Sequence, residues 1–403
     1  MAGDVAIDGP TIRLKHVLAE RDDRLGEADA QLLGLSKDLG VVPRSSMGDS
    51  VALADSLSKY KRVTRGQLVM NKMQAWNGAF AISTYDGVVS PDYTVLRFDG
   101  RQCDPRFIEY VVQGPKFAGQ CACVARGMGT GFLRVNTSDL LSLRVPLPSL
   151  AAQGAIADYL DGETARIDAL IVAKRRVGDL LEEQRQAWLS GMIRQIHASH
   201  TPLKHVAQIQ GGVTLGKAYT TGDLRAWPYL RVANVQANSL DLHEIATIEL
   251  PFAVAARHRL RAGDLLLAEG NGNPDNLGRA VVWEGDIPDC LHQNHVFALR
   301  PSSALRPKYL EAVLATDAAR RHLREGASQV GIASISQERV LSLRVPVPPL
   351  GVQDQCTSAI GHYDARAGAI RRHLGTQIAL LQERRQALIT AAVAGQLDMP
   401  EAA

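Results

Sequence analysis

Cysteine is scarce in this chain and forms no pattern: five residues, at 103, 121, 123, 290 and 356, are an odd number with no pairing scheme. Cys121-Ala-Cys123 lacks a second ligand pair at zinc-site spacing, so reduced thiols and no metal are expected. No apolar run approaches the roughly 18 residues of a membrane span, and the opening segment lacks a basic stretch followed by an apolar one. A cytoplasmic chain with no membrane partner is the expectation. Charge of one sign is also lacking: 45 Lys and Arg face 42 Asp and Glu, a net +3. That excludes a broad polybasic surface, so a polyanionic partner would be met by local patches or with the help of other subunits.

A catalytic constellation is the next absence. Gly211-Gly212-Val-Thr-Leu-Gly216-Lys217-Ala218 follows a strand-like segment and nearly spells a phosphate-binding loop. Ala218 has no hydroxyl for magnesium, and Tyr-Thr-Thr-Gly-Asp after it reads as a turn and not a helix. Lys217 is therefore expected to serve nucleic-acid phosphate or the fold. Asn273-Pro274-Asp275-Asn276 lacks the second proline and aromatic of an amino-methyltransferase loop. Pro91-Asp92 and Pro274-Asp275 lack the acid-x-Lys partner of a nuclease. Nothing here composes a reaction centre.

What is present, it contains twice. Leu141-Ser-Leu-Arg-Val-Pro146-Leu-Pro148-Ser-Leu-Ala-Ala-Gln153 returns 200 residues later as Leu341-Ser-Leu-Arg-Val-Pro346-Val-Pro348-Pro-Leu-Gly-Val-Gln353. Leu180 to Ala187 returns at the same offset as Leu380 to Ala387. Two such copies mean two halves of one plan. The prolines end a strand and delay any helix until after them. From there a period of four and three sets in, with Ile167, Leu170 and Leu181 on one seam and Ile370, Leu374 and Leu381 on the other. Each helix would be about 60 to 70 Å long at roughly 1.5 Å per residue, and needs a partner helix along its length. A core helix or a homodimeric coiled coil would also meet that need. Two matching seams in one chain, however, can pair with each other, antiparallel, without the entropy of association. Asp161-Gly162 offers a second helix start and so a kink in the first copy.

The globular parts repeat as well. Leu14-Lys-His-Val17 reappears as Leu203-Lys-His-Val206, and the order turn, short strand, strand, Pro-started helix can be followed in both halves. This gives an α+β fold with two homologous globular domains, 1–148 and 198–347, separated by two long antiparallel helices, 149–197 and 348–396. The frames agree while the loops diverge, as expected if loops carry two specificities. The first domain offers Asn71, Lys72 and Trp76, then Arg126, Arg134 and Asn136. The second offers Asn271, Asn273 and Asn276, then Gln329 and Ser334. Asparagine and glutamine can present a paired donor and acceptor to an adenine edge, and arginine or lysine can meet guanine or phosphate. Asparagine is equally a common turn residue.

Two variable domains, each followed by Pro-Leu/Val-Pro-x-Leu-x-x-Gln and a long helix closing on Leu-Leu-x-Glu-x-Arg-Gln-Ala, closely resemble the specificity subunit of type I restriction-modification systems. Asn71-Lys72-Met73-x-Ala75-Trp76 with Gly78 is similar to a segment frequent in that family's recognition domains. Ala152 and Val352 stand where the family usually has glutamate, which weakens the helix-start electrostatics. The resemblance implies a DNA-reading subunit without catalysis of its own. Each target-recognition domain would read half of a bipartite double-stranded target, with the helices as the spacer. Methylating and restricting subunits would be partners that bind S-adenosylmethionine and ATP, with no cofactor on this chain. The alternatives from other classes are a fused methyltransferase or nuclease, against which the missing motifs count, and a coiled-coil scaffold without sequence-specific DNA binding.

Overall fold

The computed structural model describes residues 10–397 apart from 27–28, 38, 48–56, 128–132, 217–222, 237–238, 272–276 and 326–332. Among the sequence-expected residues, Lys217, Asn273, Asn276 and Gln329 lie outside the described residues.

The first globular region is built on four strands, β1 (Leu18–Glu20), β2 (Leu68–Asn71), β3 (Phe80–Ile82) and β4 (Tyr93–Phe98), in the antiparallel order β1-β4-β2-β3. Helix α1 (Pro105–Gln113) follows, with Asp104 capping it by accepting from the Arg106 amide at 2.9 Å and proline in its first turn. The long helix α2 runs from Leu150 to Arg194 without a break, so the Asp161-Gly162 restart does not occur. The second region repeats the plan with β5 (Ala207–Gln210), β6 (Leu265–Ala268), β7 (Ala280–Val282) and β8 (Val296–Pro301), ordered β5-β8-β6-β7. Helix α3 (Pro307–Ala315) starts on proline like α1, and the long α4 spans Leu350–Val393. Registers correspond too: Leu68 lies opposite Leu96 and Ile82, and Leu265 opposite Leu299 and Val282.

The repeated Leu-Arg-Val-Pro segment is the same short strand in both halves. Arg144–Pro146 pairs with Thr11–Arg13, and Arg344–Pro346 with His200–Pro202. The repeated glutamine after it is buried, and does the same work twice. Gln153 accepts from the Asp104 amide at 2.9 Å and donates to the Gln102 and Pro148 carbonyls; Gln353 accepts from the Arg306 amide at 2.8 Å and donates to those of Ala304 and Pro348. Each glutamine thus ties the start of a long helix to the start of the globular helix beside it.

The chain divides into two compact units, residues 1–174 with 375–403, and 175–374. In the first, the N-terminal half of α2 lies antiparallel to the C-terminal half of α4, with Arg385 on Asp168 at 3.0 Å and Lys174 on Gln377 at 2.5 Å. In the second, Arg185 grips both oxygens of Asp364 at 2.6 and 2.9 Å, and Trp188 stacks on Tyr363 with ring centroids 4.5 Å apart. Each unit has its own core. Leu14, Phe107 and Ile108 meet Leu160 and Ile389 in one, and Leu203, Tyr309 and Leu310 meet Leu189 and Cys356 in the other.

The phase of the expected seam needs correction at two positions. Ile167 is buried and Leu181, Leu374 and Leu381 are half-buried, but Leu170 and Ile370 are 50% and 45% exposed. The buried residues are instead Thr164, Ile171 and Arg185 on α2 and Ala367 on α4. Leu170-Ile171-Val172 presents three consecutive apolar residues, among which a four-and-three step can land on either side of the true line. The choice is made by polar groups: the Thr164 hydroxyl donates to the Leu160 carbonyl at 2.7 Å, and Arg185 is neutralised by Asp364. A seam that admits threonine and arginine reads as interrupted when only apolar residues are counted.

Candidate nucleic-acid interface

In the first unit the structure gathers the sequence-expected residues at one end of the sheet. Strand β2 ends at Asn71, and a tight turn follows in which the Asn71 side-chain oxygen accepts from the Met73 amide at 3.0 Å and the Trp76 indole donates to the Met73 carbonyl at 2.8 Å. These two residues shape the turn. Gly78 closes it at φ +80°, where a Cβ would also crowd the Gln113 carbonyl at 3.3 Å. Lys72 is clamped through its backbone: its amide donates to the Asp92 carbonyl at 3.3 Å, and its carbonyl accepts from the Val135 amide at 2.9 Å. The later loop is held shut by reciprocal bonds between Arg126 and Arg134 at 2.8 and 2.9 Å. Arg134 pairs with Asp92 at 3.1 Å, Arg126 with Asp139 at 3.2 Å, and the Asn136 amide also donates to Asp139.

Three further charged residues belong to this cluster and were not singled out from the sequence. Lys61 is buried with its ammonium 3.3 Å from both Glu20 and Asp22, and Glu20 also accepts from the Thr137 hydroxyl. Burial, and then the positive charge of Lys61, hold the Lys72 ammonium below its ordinary pKa. The available signal was the alternation of Lys61 and Val63 on one strand face, which puts a lysine where an apolar residue is expected.

The second unit builds the same end of the sheet with different side chains. The Glu269 amide donates to the His295 carbonyl at 3.0 Å, and the Glu269 carbonyl accepts from the Ile335 amide at 2.9 Å. Gly270–Asn271 pairs with Ala333–Ser334, so Asn271 and Ser334, expected from sequence, do share one place. Glu269 and His295 approach to 3.4 Å. The near-phosphate-loop glycine has a packing cause: a Cβ on Gly212 would lie 2.2 Å from the His292 carbonyl. Among the described residues there is no cluster able to hold a metal ion, and no helix long and apolar enough to cross a membrane.

What this arrangement offers chemically is a set of charged and hydrogen-bonding groups. It sets cationic, amide and carboxylate groups on backbone-fixed loops at one sheet end in each unit, the disposition by which rigid frames carry variable readers.

No family model matches the sequence. The EcoKI type I restriction enzyme specificity subunit of Escherichia coli K12 is 23% identical over 378 residues, covering 89% of this chain and 79% of that protein. The StySPI type I specificity subunit of Salmonella potsdam is 22% identical over 307 residues, 73% of this chain and 65% of its own. A solved chain from work on complex assembly and conformational transition of the type I R-M system superposes with a TM-score of 0.67 at 17% identity, over 96% of this chain and 98% of that one. The two helix-linked α+β halves are thus a fold already seen, and the chain is a relative of the specificity subunits of type I restriction enzymes.

Proposed function

We propose that this chain is the DNA sequence-recognition subunit of a type I restriction-modification complex, each unit reading one half of a bipartite double-stranded target. The observation that carries the reading is the doubled site: one frame, one backbone clamp at Lys72 and again at Glu269, and different side chains in each. The chain performs no chemistry itself. S-adenosylmethionine and ATP belong to methylating and restricting partners, and the paired helices serve as spacer and as docking surface. The exposed Leu170 and Val172, 50% and 64% accessible on roughly opposite sides of the helix, leave apolar surface for such partners.

The test is to express the chain with its methylating partners in a host that lacks methylation and to read the methylated positions genome-wide. A bipartite motif with a fixed spacer is expected, and a duplex carrying it should outcompete a scrambled one at every salt concentration. Equal binding to both duplexes, with no motif, would leave only the scaffold.

A further inference from the structure

The two clamps differ in a way the fold does not require. Lys72 and Glu269 each follow the last residue of the equivalent strand, β2 or β6, and each accepts through its carbonyl at 2.9 Å from the later loop. Each also donates through its amide, Lys72 to Asp92 and Glu269 to His295. The same place in the frame therefore holds a cation in one unit and an acid in the other, and the neighbour has changed with it, from Asp92 to His295. Glu269 is 23% exposed and His295 46%, with the ring Nδ1 3.4 Å from Oε2. The carboxylate reaches the surface with its orientation set by one neighbour.

An ionised carboxylate only accepts hydrogen bonds, and a lysine only donates them. In the major groove the donors are exocyclic amino groups, cytosine N4 and adenine N6, whereas guanine presents the acceptors O6 and N7. We infer that Glu269, oriented by His295, is a specificity-determining residue of the second unit, accepting a hydrogen bond from the exocyclic amino group of one base in that unit's half-site. The inference rests on the DNA-reading role proposed above. Because the clamp uses only backbone atoms, it gives no structural reason for an acid at this position.

The experiment selects duplexes from a randomised pool with the full-length chain assembled with its methylating subunits, comparing wild type, Glu269→Met, His295→Gln and Lys72→Met. Wild type should return a two-part motif. Glu269→Met, which matches its length and keeps no comparable acceptor, should return the same motif with one position of one half relaxed, the preference for an amino-bearing base there falling about tenfold or more. His295→Gln should relax the same position by less, and Lys72→Met should touch only the other half. If Glu269→Met and His295→Gln both select the wild-type motif undiminished at every position, the inference is overturned while the recognition role stands. If wild type itself selects no motif, the recognition role fails and the inference falls with it.

Discussion

Replacing Gln353 by methionine isolates what the repeated glutamine does, because methionine matches its length and offers no comparable hydrogen bonds. The wild-type side chain is fully buried, accepts from the Arg306 amide at 2.8 Å and donates to the carbonyls of Ala304 and Pro348, both at 2.8 Å. The substitution strands one amide and two carbonyls. A buried group left unsatisfied costs about 1–3 kcal/mol. The carbonyls belong to loop backbone that can shift, so the low end applies to each, and the sum is roughly 3–5 kcal/mol. For a unit spanning residues 175–374 this lowers the melting temperature by about 6–20 °C, at roughly 2–4 °C per kcal/mol. Calorimetry or urea titration of the full chain reads it, with the exposed Gln382→Met as the control, expected to change stability by less than about 0.5 kcal/mol. A loss below about 1 kcal/mol at Gln353 would refute the reasoning, since three geometrically good bonds would then have carried almost nothing.

Arg185→Leu leaves Asp364 facing an apolar seam and should cost roughly 1–3 kcal/mol by urea unfolding. The double replacement of Arg185 and Asp364 by leucine should recover most of that, and equal losses in both would disprove the coupling. Burial pulls the His292 pKa down to about 4 from 6.5, so its neutral form supports folding fully above about pH 6.5, and that support is lost as pH falls towards 4. Stability curves for wild type should therefore drop about 3 kcal/mol more across that window than those of His292→Gln, and parallel curves would contradict this. Gly212→Ala places a methyl group against the His292 carbonyl and should destabilise the chain by more than about 2 kcal/mol, while calorimetry with magnesium-ATP shows no binding to either form; saturable ATP binding lost in the variant would restore the phosphate-loop reading. Exchanging residues 201 to 347 for the equivalent domain of a relative should change one half of the methylated motif and leave the other half and the spacer intact; both halves changing together would mean one continuous recognition surface.

The order of elements was legible because it rests on local signals: proline opening α1 and α3, a glycine turn before β2 and β6, and a four-and-three period over the long helices. The antiparallel pairing followed from repetition alone. The line along which the helices touch was less legible, since Thr164 enters it by bonding the Leu160 carbonyl one turn back, and Arg185 through Asp364, a partner that only the fold brings near. The candidate loops converge in the first unit, where Asn71 and Trp76 shape their own turn. Glu20 and Lys61, forty-one residues apart, could not be joined to Lys72 without the sheet register. The strands outside the common frame, such as Leu224–Leu230 in the second unit, have no matching stretch of sequence in the first and so carried no repeat signal.

Comparing the halves position by position separates two kinds of site. Three side chains that hold the frame are the same in both: Gln153 and Gln353 at the helix starts, Arg144 and Arg344 bonding the Thr11 and His200 carbonyls, and Glu109 and Glu311 accepting from the Ile82 and Val282 amides. Where the backbone holds the frame, the side chain has changed: lysine to glutamate at 72 and 269, aspartate to histidine at 92 and 295, arginine to serine at 134 and 334. A backbone bond costs the same whichever side chain its residue bears, so charge can be reversed at these positions without disturbing the sheet end that presents it. A position fastened in this way can be recoded without moving the loop, whereas Asn71 and Trp76, which shape the turn with their own side chains, cannot be exchanged without loss of its form.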